Sequence, residues 1–164
     1  MTSALMLWKT AHIVSAAVLF GTGVGIAFFC WSGYRDAMCT GEIAALRSVL
    51  RLTVIADACL TAPAVVFQVV SGVVLMHYMN LPLASPWSLA SIALFVLVGA
   101  CWLPVVAIQI KLWREARAAA SMAALASGFH RRFRVWFALG VPAFAAVITI
   151  FYMMVAKPLS LSAI

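Results

Sequence analysis

The sequence contains very little charge. Only 9% of its 164 residues are charged and only four are acidic, whereas 66% are hydrophobic. A soluble domain of this size carries about 25% charged and about 45–50% apolar residues. The chain therefore has too little polar surface for a soluble particle, and we predict an integral membrane protein whose partner is the lipid bilayer.

Metal-binding cysteine motifs are absent as well. The four cysteines form no CxxC pair and no CxxCH haem-attachment site. Cys30, Cys59 and Cys101 lie in or near apolar runs, where cysteine packs as a small hydrophobe. We therefore expect neither a zinc site nor a disulfide framework.

Long apolar runs are what the sequence does contain. At 1.5 Å per residue, about 20 residues cross the ~30 Å hydrocarbon core. Four runs qualify, at roughly 8–33, 52–79, 86–110 and 134–156. We predict an all-α polytopic membrane protein with a single domain over residues 1–164, folded as an antiparallel four-transmembrane-helix bundle. The connections at 34–51 and 111–133 have helical spacing, and we expect helix there too.

The basic residues are distributed unevenly along the chain. Nine of the eleven lysines and arginines lie in or directly beside the first and third connections, and the second connection, NLPLASPW, is uncharged. Basic connections remain in the cytoplasm, so we predict that both termini lie outside. The net charge of +7 follows from this asymmetry and does not indicate nucleic-acid binding.

Two histidines are candidate cofactor ligands. His12 lies near the start of the first run and His77 near the end of the second, so both fall in the outer third of the bilayer. Imidazoles at matched depth on adjacent antiparallel helices are what axial ligation of haem b requires. Water or lipid headgroups also satisfy histidines near the interface, so a site without ligand stays open. We expect His130, beside two arginines, to be an ordinary surface residue.

Methionines occur at the same level as the two histidines. Met76 and Met79 flank His77, and further methionines, Met6, Met153 and Met154, lie at the outer ends of the first and fourth runs. Methionine with histidine suits Cu(I), which makes copper the alternative cofactor. Methionine is also an ordinary filler of membrane helices.

A polar stripe follows one face of the second run. At 100° per residue, Asp57, Thr61 and Gln68 share this face, and His77 lies about 160° away from it. Polar groups in hydrocarbon usually face one another or a wet cavity. We therefore predict that the stripe is internal, with Asp57 near Gln109 of the third run and Gln68 about 16 Å further along, facing residues 95–102. A structural hydrogen-bond network and a proton, quinone or ion site both remain open.

Four stretches of the sequence together carry a family resemblance. They are WKTAHIVSAAVLFGTGVGIAFF, ADACLTAPAVVFQVVSGVVL, WLPVVAIQIKL and RFRVWFALGVPAFAAVITIFYMMVAKP. Over nearly its whole length the chain resembles the DUF2269 family of predicted bacterial integral membrane proteins. The resemblance implies a location in the bacterial inner membrane.

A more distant resemblance concerns the histidine of the first run. The arrangement of spans is similar to that of HemJ-type protoporphyrinogen oxidases and copper-resistance D proteins. These small helical membrane proteins carry a histidine in a KxxH motif early in a span, which corresponds here to Lys9 and His12. The HemJ-type final span ends with Lys-Pro, retained as Lys157-Pro158, but Leu139-Gly140 replaces its Asn-Glu pair.

These observations define three hypotheses for function. The first is a haem b-associated or redox-linked membrane protein with His12 as ligand. The alternatives are a non-enzymatic protein for copper handling or transport, and a structural or accessory membrane subunit. A homo-oligomer or a larger membrane complex is compatible with each of them.

Overall fold

The computed structural model of the chain describes residues 2–156, and within that range it contains helices and no strand. The α-helices are, in chain order, α1 Thr2–Thr40, α2 Ile43–Ala56, α3 Ala62–Tyr78, α4 Pro86–Ala118 and α5 Phe129–Ala156. A single π-helical turn, Asp57–Thr61, joins α2 to α3 without a break, and a short 3₁₀ turn, Met122–Ala124, precedes α5. The Lys157-Pro158 motif lies outside the described residues.

Four helical segments are long and apolar enough to cross a membrane. They are Ser3–Thr40, Ile43–Tyr78, Pro86–Ala118 and Phe129–Ala156. This confirms the predicted all-α architecture with four membrane helices. The helices extend beyond the apolar runs, so the basic residues of the first and third connections lie on helix rather than on loop.

The turn between the first two spans is tight because of one glycine. Gly41 has a φ of 77°, a left-handed conformation that glycine adopts without strain. Its amide donates a 2.9 Å hydrogen bond to the carbonyl of Ala37 and so ends α1. The second span then begins at Ile43, antiparallel to the first.

The spans pack as an antiparallel bundle in which each span packs chiefly against two others. α1 packs against α2, α3 and α5, and α4 packs against α2 and α5. Phe20 stacks on Phe144, with ring centroids 4.6 Å apart, where α1 meets α5. The indole nitrogen of Trp87 donates a 2.9 Å hydrogen bond to the carbonyl of Met153, where α4 begins and α5 ends. In the second half of the Ile43–Tyr78 span, α3 packs chiefly on α1 and lies apart from α4.

The buried hydrophobic core lies at one end of the bundle. We call this the basic end, because it contains the Gly41 turn, residues 119–128 and the basic helix ends. Core side chains here come from every span: Cys30, Ala37, Leu46, Leu50, Leu112, Ala116, Phe129, Phe133 and Trp136. Elsewhere fewer hydrophobic side chains are buried, namely Ala64, Trp87, Cys101, Ala146 and Met153, and many large apolar side chains point outward, as expected for surfaces that contact lipid tails.

The location of the core makes a stability prediction. Phe133 is fully buried in it, whereas Phe28 is 63% exposed on the lateral face. Phe133→Ala should lower the free energy of unfolding by about 3 kcal/mol or more, because it leaves a cavity. Phe28→Ala should have a much smaller effect, since lipid or detergent contacts this side chain in both cases. Unfolding of the detergent-solubilised variants measures both, and equal losses would contradict the core assignment.

Candidate functional site

A buried carboxylate lies where the second and third spans meet. Asp57, in the π-helical turn, is only 6% exposed. Its Oδ1 accepts a 3.2 Å hydrogen bond from the indole nitrogen of Trp102, and its Oδ2 accepts one of 2.5 Å from the Gln109 amide nitrogen. Both donors belong to α4, so the carboxylate fixes the rotation of that helix against the second span.

The Gln109 side chain extends this network to the fourth span. Its amide nitrogen donates to Asp57, and its amide oxygen accepts a 3.3 Å hydrogen bond from the indole nitrogen of Trp136 on α5. The Asp57 carboxylate can only accept and the Trp136 indole can only donate, so the Gln109 amide has one possible orientation. At 2% exposure, Gln109 has no access to water as an alternative partner.

A second polar contact lies towards the opposite end of the bundle. The Ser71 hydroxyl of α3 is 2.7 Å from His12 Nδ1 of α1 and 2.6 Å from the Phe67 carbonyl oxygen. The carbonyl can only accept, so both contacts are hydrogen bonds only if Ser71 donates to Phe67 and His12 Nδ1–H donates to Ser71. The other ring nitrogen, Nε2, has no hydrogen-bond partner within residues 2–156 and is not enclosed. In the neutral imidazole it carries a free lone pair.

Two further polar side chains lie between these contacts. Thr61 Oγ1 and Gln68 Oε1 are buried and have no hydrogen-bond partner among the described residues. Closer to His12, the Ser15 hydroxyl donates a 3.2 Å hydrogen bond to the Ala64 carbonyl. The polar face of α3 is therefore turned towards α1. The expectation that Gln68 faces residues 95–102 does not match this packing.

His77 lies in a different environment from His12. It is exposed and lines an open groove of about 660 Å³ together with Trp8, Val73, Val74, Tyr78 and Asn80. His12 is not among the residues that line this groove. Because Ser71 and His77 are six positions apart in α3, their side chains leave the helix about 120° apart. The imidazoles of His12 and His77 therefore do not face each other across a shared site.

The methionines at this level lie in different environments. Met76 and Met79 are half-buried, Met153 is buried, and Met6 and Met154 are exposed. None of them lines the groove that contains His77. Within residues 2–156 there is also no cluster of three His, Cys, Asp or Glu side chains that could hold a metal ion.

The interpretation of His130 as an ordinary surface residue is wrong. Its ring is half-buried, and Nδ1 lies 2.7 Å from the hydroxyl oxygen of Tyr34 on α1. The Tyr34 ring in turn stacks on Phe133 at 4.1 Å. His130 thus belongs to the contact between α1 and α5 at the basic end.

The Asp57 network predicts the effect of one conservative substitution. Asp57→Asn replaces two acceptor oxygens with one, so either Trp102 or Gln109 then points a donor at an amide NH₂ group. We expect a loss of about 1 kcal/mol in the free energy of unfolding, within the range of hydrogen bonds between membrane helices.

A double-mutant cycle tests the cause of that loss. Trp102→Phe removes one of the two donors, so Asp57→Asn should cost less than half as much in this background. Asp36→Asn, at an exposed position on α1, is the matched control and should change stability by less than about 0.5 kcal/mol. Equal costs of Asp57→Asn in both backgrounds would contradict the proposed geometry.

Comparison with known proteins places this bundle in a family. No curated protein and no solved structure matches the chain. The similarity to HemJ-type and copper-resistance D proteins, and the bacterial origin, therefore stay predictions. The family model described as predicted integral membrane protein (DUF2269) matches residues 6–158, which include three spans completely and all but the first three residues of the span Ser3–Thr40. The chain belongs to the DUF2269 family of predicted integral membrane proteins.

Proposed function

We propose that this protein is a redox-linked membrane protein that binds haem b through Nε2 of His12. One observation carries the proposal. His12 Nδ1 lies 2.7 Å from the Ser71 hydroxyl oxygen, and if the Ser71 proton goes to the Phe67 carbonyl, the ring donates Nδ1–H to Ser71 and keeps Nε2 free. Histidines that ligate metals almost always donate their other ring N–H to a neighbouring acceptor in this way. Bound haem would supply one-electron transfer at its iron.

The residues around His12 fit a site with one protein ligand. Gly72 of α3 faces the His12 ring without a side chain, and a Cβ at that position would lie 3.7 Å from His12 Cε1. The half-buried ring is also close to the end of its span, where a ligand can enter from the membrane surface. His77 does not fit as a second axial ligand, because its side chain leaves α3 in another direction.

The copper alternative has weaker support. It requires methionine sulfur near an imidazole, and the groove that contains His77 is lined by no methionine. A structural or accessory role would instead leave His12 as a helix-clamping residue, with its hydrogen bond to Ser71 as its only task. The absorption spectrum and the metal content of the purified protein separate the three hypotheses.

The haem proposal predicts a His12-dependent spectrum. Protein purified from cells supplied with haem precursor should show a Soret band, and His12→Ala should abolish it. Ser71→Ala removes the partner of Nδ1 and should weaken haem binding by about 10- to 100-fold. His77→Ala is the matched control and should leave the band unchanged.

Two outcomes would overturn the haem proposal. If wild-type protein titrated with haem shows no Soret band, haem is not the ligand. If His77→Ala and His12→Ala reduce the band equally, His12 is not the specific ligand. Copper that copurifies with the protein and is lost in His77→Ala would favour the copper alternative.

We also propose that the protein lies in a bacterial inner membrane with both chain termini outside. The charge distribution supports this orientation, because the basic residues gather at one end of the bundle and such ends remain in the cytoplasm. The exposed native cysteine Cys39 would then be cytoplasmic, and Ala84, exposed in the second connection, would lie outside.

Labelling with a membrane-impermeant maleimide tests the orientation. In intact spheroplasts the reagent should label Ala84→Cys and should label Cys39 only after permeabilisation. A Cys39→Ser background serves as control for the engineered site. Labelling of Cys39 in intact cells, or a reporter fused after Ile164 that is active only in the cytoplasm, would reverse the assignment.

A further inference from the structure

Three arginines converge on one groove at the basic end. Arg47 and Arg51 of α2 and Arg117 of α4 line it, together with Ser48 and Trp113, and its volume is about 250 Å³. No acidic residue lines this groove. We propose that it binds the phosphate group of an anionic phospholipid.

The Arg47 side chain is held in place at one side of the groove by hydrogen bonds. Its Nε donates a 2.9 Å hydrogen bond to the carbonyl of Ala116, and its Nη2 donates to the carbonyl of Ala119, where α4 ends. These bonds satisfy two of the carbonyls that a helix end leaves without partners. A guanidinium group has five N–H donors, so Arg47 retains donors for a bound anion.

Arg51 and Arg117 are the exposed charges of the groove. Both side chains are exposed, and neither forms a salt bridge with any residue between 2 and 156. Glu115, the acid nearest to Arg117 in sequence, pairs with Arg132 instead. The guanidinium of Arg117 lies over the Trp113 ring, 5.9 Å from its centroid, which orients it beside the groove.

The surface next to the groove favours a lipid over a free anion. Ser48, Arg51, Leu52 and Ile55 leave α2 on one face, within about 100° of one another. Leu52 and Ile55 are 55% and 45% exposed, and they follow the groove towards the middle of the span. A phosphate in the groove would therefore have apolar surface directly beneath it, where acyl chains can lie.

The other wall of the groove repeats this arrangement. Val106 and Ile110 share a face of α4 with Trp113 and Arg117, within about 60°. Basic groups thus lie at the membrane boundary and apolar groups lie below them on both helices. Basic pockets between membrane helices on the cytoplasmic side bind the headgroups of anionic lipids such as cardiolipin.

Native mass spectrometry of the detergent-solubilised protein tests the proposal. Phosphatidylglycerol should bind more tightly than zwitterionic phosphatidylcholine. The double variant Arg51→Gln/Arg117→Gln should lower the phosphatidylglycerol affinity by roughly 25-fold, since each arginine near an anionic surface contributes about fivefold. Arg35→Gln/Arg131→Gln removes the same charge from exposed positions outside the groove and should change the affinity less than twofold.

A second variant keeps the test independent of the arginines' effect on folding. Ser48→Asp adds a carboxylate to the groove at an exposed position and should also reduce phosphatidylglycerol binding. Equal losses in the groove variant and the control variant would overturn the proposal, because they would show an unspecific charge effect. Full competition by inorganic phosphate would assign the groove to a free anion and overturn the lipid assignment.

Discussion

The Asp57 carboxylate constrains the packing of three of the four spans. A carboxylate in hydrocarbon has no water to bind and needs a donor for each oxygen. Both donors come from α4, through Trp102 and Gln109, and Gln109 in turn accepts from Trp136 of α5. A rotation or a shift of one of these helices would leave a buried polar group unpaired. The network therefore selects one register from the many that similar apolar faces would allow.

The π-helical turn at Asp57–Thr61 divides the second span into two halves with different neighbours. A turn with i→i+5 bonding contains an extra residue and shifts the phase of the following helix by up to about 100°. Asp57 therefore points to α4, whereas the Ser71 side chain points to α1, and the Ala64 carbonyl also accepts a hydrogen bond from α1. Pro63, two residues after the turn ends, has no N–H and disfavours regular helix here. Without this turn, the polar stripe would face a single neighbour.

Much of this structure follows from the sequence, but the phase of α3 does not. Run length and charge distribution predicted four spans. The short turn between the second and third spans makes them antiparallel neighbours, which predicted that Asp57 and Gln109 would meet at the same end of the bundle. Both arguments need only length and antiparallel order. The expected environment of Gln68 depended on regular helical phase from Asp57 onward, and the π-helical turn removes that regularity. Ser71 was missed because a serine inside a helix usually bonds only to its own backbone, and here its hydroxyl also lies 2.7 Å from Nδ1 of His12.

The two ends of the bundle have different physical characters. At the basic end every span contributes to a buried core, and Arg47 ties α2 to the end of α4. Towards the opposite end α3 no longer packs against α4. Two buried side-chain oxygens, of Thr61 and Gln68, have no hydrogen-bond partner among the described residues. Local opening requires less free energy where few apolar contacts are buried. A ligand at His12 would therefore enter at the end that opens more readily, while the basic end keeps the helices in register.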